Sequence, residues 1–253
     1  KFNIFKMSLV SIILPYYKKI KFFAATYRSI MGQSYQNFEL IIIYDDEDLK
    51  ELRAIKKIIK KNPKVKIIQN KRNLGAGLSR NNGIKKSKGK FISFIDADDI
   101  WTKNKIKEQV KFIEKNRFDF ISCNYKKKFS YKVISVKSQY EIKYKDLLKT
   151  CSIGLSTVML RKKMINHKLF SKLKTQEDFS AWLKIMRKKK ISCYNLNKTL
   201  VIWNYDKKSL SSNFFQKFRD AYKVFRINEN FSFINSIIHL LVLSINSLKR
   251  KIK

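Results

Sequence analysis

The chain has 253 residues, 44% of them apolar, with only six glycines and two prolines, which excludes a disordered or collagen-like chain and allows one large domain with a sizeable core. Its 57 Lys and Arg against 19 Asp and Glu give a net charge of +38, a balance that suits an anionic surface. Yet Lys, Ile, Asn, Phe and Tyr are inflated together, as an AT-rich coding sequence would inflate them, and no zinc-finger spacing, Arg-rich stripe or RNP-type aromatic motif accompanies the charge, so nucleic acid is not an expected partner.

In chain order, residues 8–14 form an apolar, β-branched run closed by Pro15, the pattern of a buried strand. Phe22, Phe23, Tyr27, Ile30 and Met31 fall at helical spacing and predict a helix over 20–33. A second buried strand over 38–44 runs into Asp45-Asp46-Glu47-Asp48, followed by a helix over 49–61 and a third strand over 64–69. A polar, Gly-containing loop spans 70–77 and a short helix 78–87. The fourth strand, 90–95, ends at Asp96-Ala97-Asp98-Asp99, and a helix over 103–116 and a strand over 118–123 come next. This alternation predicts an α/β fold with an open, mostly parallel central sheet flanked by helices, whose ligands sit at the carboxyl ends of the strands.

Beyond Tyr125 the pattern loosens into a strand or hairpin arm over 129–136, a strand over 155–160, a helix over 179–189 and two short strands within 191–203. From Phe214 onward the chain reads as helical. Residues 231–248 are apolar but interrupted by Asn235, His239 and Asn246, and Lys249-Arg250-Lys251 follows. That segment is marginal in length and too polar for a membrane span; it suits either an interfacial helix or a core helix. Cys123, Cys151 and Cys193 are odd in number, far apart and accompanied by only two histidines, so neither a disulfide framework nor a zinc site is expected and a reducing cytoplasm fits. No secretory signal is recognised near the start, and Met7 is a natural place for the protein to begin.

Four, three and two of the 19 acidic residues fall into three clusters, the last being Glu177-Asp178. Clustered like charges repel, so the grouping asks for a use: holding a hard cation, accepting hydrogen bonds from a sugar or base, or removing a proton. Asp96 and Asp98, two apart just past a strand, point the same way if the backbone stays extended, as a site for Mg²⁺ or Mn²⁺ completed by substrate phosphates requires. Asp45-Asp46 follows a strand likewise and suits a base or ribose, while Glu47 and Asp48 also fit the cap and first turn of the next helix. Arg80, in Gly75-Ala76-Gly77-Leu78-Ser79-Arg80, can meet a diphosphate or lie solvated at the surface; the loop lacks the spacing of a dinucleotide or P-loop motif. Glu177-Asp178 on its own reads as an acidic pair opening a helix.

The ordered set of segments is more specific than any one of them. Val10-Ser11-Ile12-Ile13-Leu14-Pro15-Tyr16-Tyr17, Gln33-Ser34-Tyr35-Gln36-Asn37-Phe38-Glu39-Leu40, Tyr44-Asp45-Asp46, Arg80-Asn81-Asn82-Gly83, Phe94-Ile95-Asp96-Ala97-Asp98-Asp99 and Gln176-Glu177-Asp178-Phe179 resemble, in matching order over residues 8–212, the family 2 glycosyltransferases. The resemblance implies the glycosyltransferase A fold and inverting transfer from a nucleotide-sugar. It also implies roles: Pro15, Tyr17 and Asp46 at the nucleotide base, Arg80 beside the nucleotide, Asp96 at the ribose with Ala97 between it and the metal ligand Asp98, and Asp178 as catalytic base with Glu177 beside it. Lys18 stands where the family usually has Asn, and Glu47-Asp48 where it has Gly-Ser.

The expected organisation is thus a leader over 1–7, a catalytic domain over 8–212 and a basic helical extension over 213–253. The expected activity is metal-assisted (Mn²⁺ or Mg²⁺) transfer from a UDP-sugar to a glycan or lipid-linked acceptor in surface-polysaccharide synthesis, in the cytoplasm or peripherally on the inner face of the plasma membrane, with residues 231–253 as the membrane contact. Two other readings compete. A nucleotidyltransferase would also use paired Asp and a metal, but it would carry a Gly-rich triphosphate loop where Pro15-Tyr16-Tyr17-Lys18-Lys19 stands. A non-enzymatic basic module leaves the acidic clusters unexplained.

Overall fold

The computed structural model describes residues 7–205 and 213–252, with side chains to Lys249. Four parallel strands build one half of the sheet in the order β3 (Val65–Gln69), β2 (Phe38–Tyr44), β1 (Val10–Tyr16), β4 (Phe91–Phe94). The chain steps outward from β1 to β3 and then returns to the other side of β1, so the strand order reverses between β1 and β4. That is where an open α/β sheet leaves a crevice at its carboxyl edge. β9 (Met159–Arg161) runs antiparallel between β4 and β6 (Phe120–Lys128), and β10 (Cys193–Asn204) lies parallel to β6. Three short antiparallel strands finish the sheet: β5 (Ile100–Trp101) and β8 (Glu141–Ile142) on β10, and β7 (Val133–Val136) on β6.

Side-chain alternation sorts the strands into two core layers. Val10, Ile12, Leu14 and Tyr16 of β1 join Phe38, Leu40, Ile42 and Tyr44 of β2 beneath α1 (Ile20–Met31), α2 (Leu49–Ile59) and α4 (Lys105–Lys115). Ile13, Ile92, Phe94 and Phe120 face the other way, under α3 (Ala76–Lys86), α5 (Tyr144–Lys149) and α6 (Glu177–Lys189). Ala221, Val224, Phe225, Leu240 and Leu243 belong to that second layer, so α7 (Phe214–Lys223), the π-helical turn Val224–Asn228 and α8 (Phe233–Ile252) pack onto it.

Several elements differ from the sequence expectation for identifiable reasons. β1 does not stop at Pro15 but continues to Tyr16. Ile95 N donates to Ile13 O while Asp45 N donates to Tyr16 O, so Pro15 turns its missing N–H toward β4, whose ladder has by then ended. The expected strand over 155–160 is a 3₁₀ turn, Leu155–Thr157, stapled by Thr157 Oγ1 to Gly154 O at 2.6 Å, with only Met159–Arg161 in the sheet. The two strands expected within 191–203 are one, because β10 absorbs its polar stretch at two register shifts between Leu196 and Val201. α3 starts earlier than 78, at Ala76, since Gly75 adopts φ +83° and caps it with its carbonyl. α5, β5 and β8 are too short to leave a periodic signal. The expected boundary at 212–213 and most of the 1–7 leader lie outside the described residues.

Candidate active site

The loops after β1 and β2 are fastened to each other at the crevice. Asp46 is buried; its Oδ1 accepts from the N–H groups of Glu47 (2.8 Å) and Asp48 (3.3 Å), and its Oδ2 from Lys18 N (3.2 Å). Lys18 sits at φ +48°, a left-handed turn that leaves Tyr17 exposed at the mouth. Asp45 looks inward instead. Its carboxylate accepts from Asn70 Nδ2 (2.7 Å), Leu74 N and Gly75 N (2.8 Å each), fixing the loop that launches α3. Asp48 caps α2 through Lys50 N at 2.7 Å, so this end of the first acidic cluster is structural.

Arg80 is not a solvated surface residue. It is 3% exposed, and its two terminal nitrogens reach Glu177 Oε1 at 2.6 Å and Asp96 Oδ1 at 2.7 Å. One guanidinium therefore joins the second acidic cluster to the third, 16 residues from Asp96 and 97 from Glu177 in the chain. Burial alone would lower its affinity for a proton, but the Asp96 and Glu177 charges outweigh burial and hold it above its ordinary range. The approach of α3 to α6 needs Gly77, where a Cβ would stand 2.6 Å from Ser171 O and 3.3 Å from Glu177 Cγ.

Asp178 follows Glu177 in the first turn of α6, behind Gln176 in a left-handed conformation (φ 63°). Burial, reinforced by the Glu177 charge, pushes its carboxyl up to about 7, with Arg80 pulling the other way. An acid poised near neutrality is what a general base requires, because it is both ionised and basic enough to take a proton.

Asp98 is half-buried and paired with Lys19 Nζ at 2.8 Å. Burial and then the Asp96 charge raise its carboxyl above the usual range, while Lys19 opposes them, so the position favours added positive charge. Asp99 lies behind it, fully enclosed: Ser156 Oγ donates to Oδ2 at 2.5 Å, and Oδ1 has no hydrogen-bond partner among the described residues. Burial, then the Asp96 and Asp98 charges, hold Asp99 well above the carboxylate range. Asn204 Nδ2 donates to Asp98 O at 2.5 Å, and Ala97 O accepts from Thr26 Oγ1 at 3.0 Å, which fixes the Asp96–Asp98 backbone from both sides. Among the described residues no group of three or more His, Cys, Asp or Glu is arranged to hold a metal by itself. The donor set still fits Mg²⁺ or Mn²⁺, which bind through one or two carboxylates and complete their shell with substrate phosphates.

Tyr17, Asp46, Arg80, Asp96, Asp98, Glu177 and Asp178 are thus linked around one crevice by the contacts Asp46–Lys18, Lys19–Asp98 and Asp96–Arg80–Glu177. Pro15 and Ala97 are buried beneath it and act through the backbone they shape. Lys19, Ser156 and Asn204 were not anticipated. Each is an ordinary polar residue in sequence, and Ser156 and Asn204 are over 50 and 100 residues from the acids they touch.

Residues 11–174 match the family model described as Glycosyl transferase family 2. The UDP-Glc:alpha-D-GlcNAc-diphosphoundecaprenol beta-1,3-glucosyltransferase WfgD of Escherichia coli is 31% identical over 217 residues, 85% of each chain. A second E. coli beta-1,3-glucosyltransferase of the same description, WfaP, is 34% identical over 212 residues, 83% of each chain. Among solved structures, S. aureus TarS in complex with UDP-GlcNAc superposes with a TM-score of 0.73 at 21% identity, covering 92% of this chain and 70% of that one. A longer TarS chain is covered over only 39% of its length. The mannosyltransferase PcManGT from Pyrobaculum calidifontis, in complex with GDP-Man and Mn²⁺, gives 0.68 at 13% identity, covering 88% and 64%. At these identities the TarS and PcManGT structures speak for the fold, which is the expected one.

Proposed function

The chain belongs to glycosyl transferase family 2 and is a glycosyltransferase; from that premise we propose that it carries a sugar from a UDP-sugar to a hydroxyl of a lipid-linked glycan, with inversion and with a divalent cation at Asp98, at the cytoplasmic face of the membrane. The observation that carries this reading is the Arg80 bridge, which sets the Asp96–Asp98 mouth of β4 against Glu177-Asp178. The donor and acceptor classes are suggested by the activities of WfgD and WfaP, of which this chain covers more than four fifths.

In this mechanism the uridine lies over Tyr17 and Asp46, and Asp96 accepts from the ribose hydroxyls. Arg80 keeps Asp96 and Glu177 in register, with one terminal nitrogen on each carboxylate. A cation held by Asp98 would neutralise charge developing on the departing diphosphate. Lys19, on Asp98 Oδ2 at 2.8 Å, would add a second positive charge beside that cation. Asp178 takes the acceptor hydroxyl proton as that oxygen bonds the anomeric carbon and the bond to the diphosphate oxygen breaks. A single displacement from the face opposite the leaving group inverts the centre. Nucleotidyl transfer is disfavoured by the family match, and a purely non-enzymatic basic module by the same match.

The test is a panel of nucleotide-sugars scored first for Mn²⁺- or Mg²⁺-dependent binding and then for release of nucleoside diphosphate as the sugar passes to a GlcNAc-diphospho-lipid. UDP release by the wild type should vanish in excess chelator and in Asp98→Ala. Asp178→Asn should bind donor normally yet transfer slower by about two orders of magnitude or more. Undiminished transfer by Asp178→Asn would remove the base from this scheme, and undiminished turnover in chelator would remove the cation.

A further inference from the structure

α8 has two apolar faces, and the core uses only one. Ser236, Leu240 and Leu243 are buried, and the His239 ring lies 5.4 Å from Phe225 and 4.9 Å from Phe231. On the other face Ile234, Ile238, Leu241, Ile245 and Leu248 follow one another at intervals of four, three, four and three residues, each at least half exposed. At 100° per residue they fall within an arc of about 80°. α7 adds Phe214, Phe215 and Phe218, also exposed, with Phe214 and Phe218 stacked at 6.2 Å. Tyr222 of α7 meets Phe233 of α8 at 6.5 Å, so the two helices present one continuous apolar strip.

Nothing in the second core layer needs these side chains, and an exposed strip of this extent is unusual on a chain that works only in water. We propose that it rests on an anionic lipid surface, with α8 lying in the interface rather than crossing it. Charge selects the occupant. Between residues 213 and 249 the only carboxylates are Asp220 and Glu229, both buried, whereas Lys217, Arg219, Lys223, Arg226 and Lys249 share the segment. That arrangement attracts acidic headgroups and repels a second copy of the same face. No helix among the described residues is long and apolar enough to cross a membrane, which fits a helix lying in the plane.

The strip is firmly joined to the catalytic elements. Asp220 Oδ2 of α7 accepts from Thr175 N at 2.9 Å and Thr175 Oγ1 at 3.0 Å, two residues ahead of Glu177, and Asn228 Nδ2 donates to Ser180 Oγ of α6. A protein seated on this strip therefore holds the crevice at a fixed height above the bilayer. This inference stands apart from the acceptor assignment, and its readout is binding, not turnover.

The experiment is flotation of the full chain with vesicles of phosphatidylcholine alone or mixed with phosphatidylglycerol. The wild type should float with the anionic vesicles, less so in high salt, and poorly with phosphatidylcholine. The triple variant Ile238→Gln, Leu241→Gln, Ile245→Gln alters only exposed positions, so its thermal midpoint and UDP release from a soluble donor should be unchanged while partitioning falls about tenfold or more. Phe214→Ser with Phe215→Ser, on the other helix, should give a smaller loss in the same direction and keeps the test open if the triple variant is destabilised. Equal flotation of wild type and variants overturns the proposal. So does a wild type that stays off anionic vesicles, or one that forms a concentration-dependent dimer abolished by the triple variant, which would make the strip an interface between two copies.

Discussion

Asp178 is the residue whose protonation should be visible in both rate and stability. Its carboxyl sits at about 7, so kcat/KM, which reports the free enzyme, should rise with pH through an apparent pKa near that value and then level off. The folded form binds a proton more tightly than the unfolded chain, whose ordinary value is 3.8. The stability this confers is full below 3.8 and is lost as pH rises through 7. Asp178→Asn should accordingly raise the thermal midpoint more at pH 8 than at pH 4.5, the reverse of what loss of a structural ion pair would do. Lys105 offers the mirror case. It is fully buried with its ammonium 3.6 Å over the Trp101 ring and no hydrogen-bond partner among the described residues, and burial pulls it down to about 7 from 10.5. Here the unfolded chain binds the extra proton, so the penalty is complete below pH 7 and fades toward pH 10.5. Lys105→Met should stabilise the protein at pH 7 by about 1–3 kcal/mol and by much less at pH 10, read from thermal unfolding.

At the scale of elements, the proposed catalytic pair Glu177-Asp178 depends on how α6 is entered. Gln176 in a left-handed turn, Gly77 beneath Glu177 and Asp220 above Thr175 all converge on that start. Asp220→Ala would leave the buried Thr175 N–H without its acceptor, a loss of about 1–3 kcal/mol. If the contact also positions Glu177-Asp178, kcat should fall with donor KM little changed, and Asp220→Asn, which keeps an acceptor, should recover part of both. A fall in stability with unchanged kcat would confine Asp220 to a structural role.

On the scale of the whole molecule, the C-terminal helices are part of the fold as well as a surface. Leu240 and Leu243 lie in the same apolar layer as Trp182 and Phe120. Removing residues 231–253 should therefore expose that layer and lower the thermal midpoint by many degrees, with loss of cooperative unfolding as the extreme. A clean release from membranes with folding intact, the outcome a detachable tether would give, is not expected. Surface substitutions on α8 are the informative variants, because they change the outward face and leave the inward one packed.

How much was legible in the sequence follows from which forces are local. The alternation of β1, α1, β2, α2, β3, α3 and β4 is written in hydrophobic periodicity, and the acidic clusters at the ends of β2 and β4 announced the crevice because like charges are not grouped without cause. Asp96 and Asp98 stood out for that reason, whereas Glu177-Asp178 on its own reads as an acidic pair opening a helix and takes its expected role only from the family resemblance. Their assembly was not legible. Arg80 read alone is a surface cation; burial and two carboxylates, one 16 residues and one 97 residues along the chain, make it the bridge of the site. The same holds for Lys19 on Asp98, Ser156 on Asp99 and Asp220 on Thr175, pairings between positions that share no spacing rule. For α8 the sequence contained both an interfacial and a core helix, since its apolar residues cover more than one face. Only tertiary packing, which buries Leu240 and Leu243 and leaves Ile238, Leu241 and Ile245 in water, decided that each description holds for a different side of the helix.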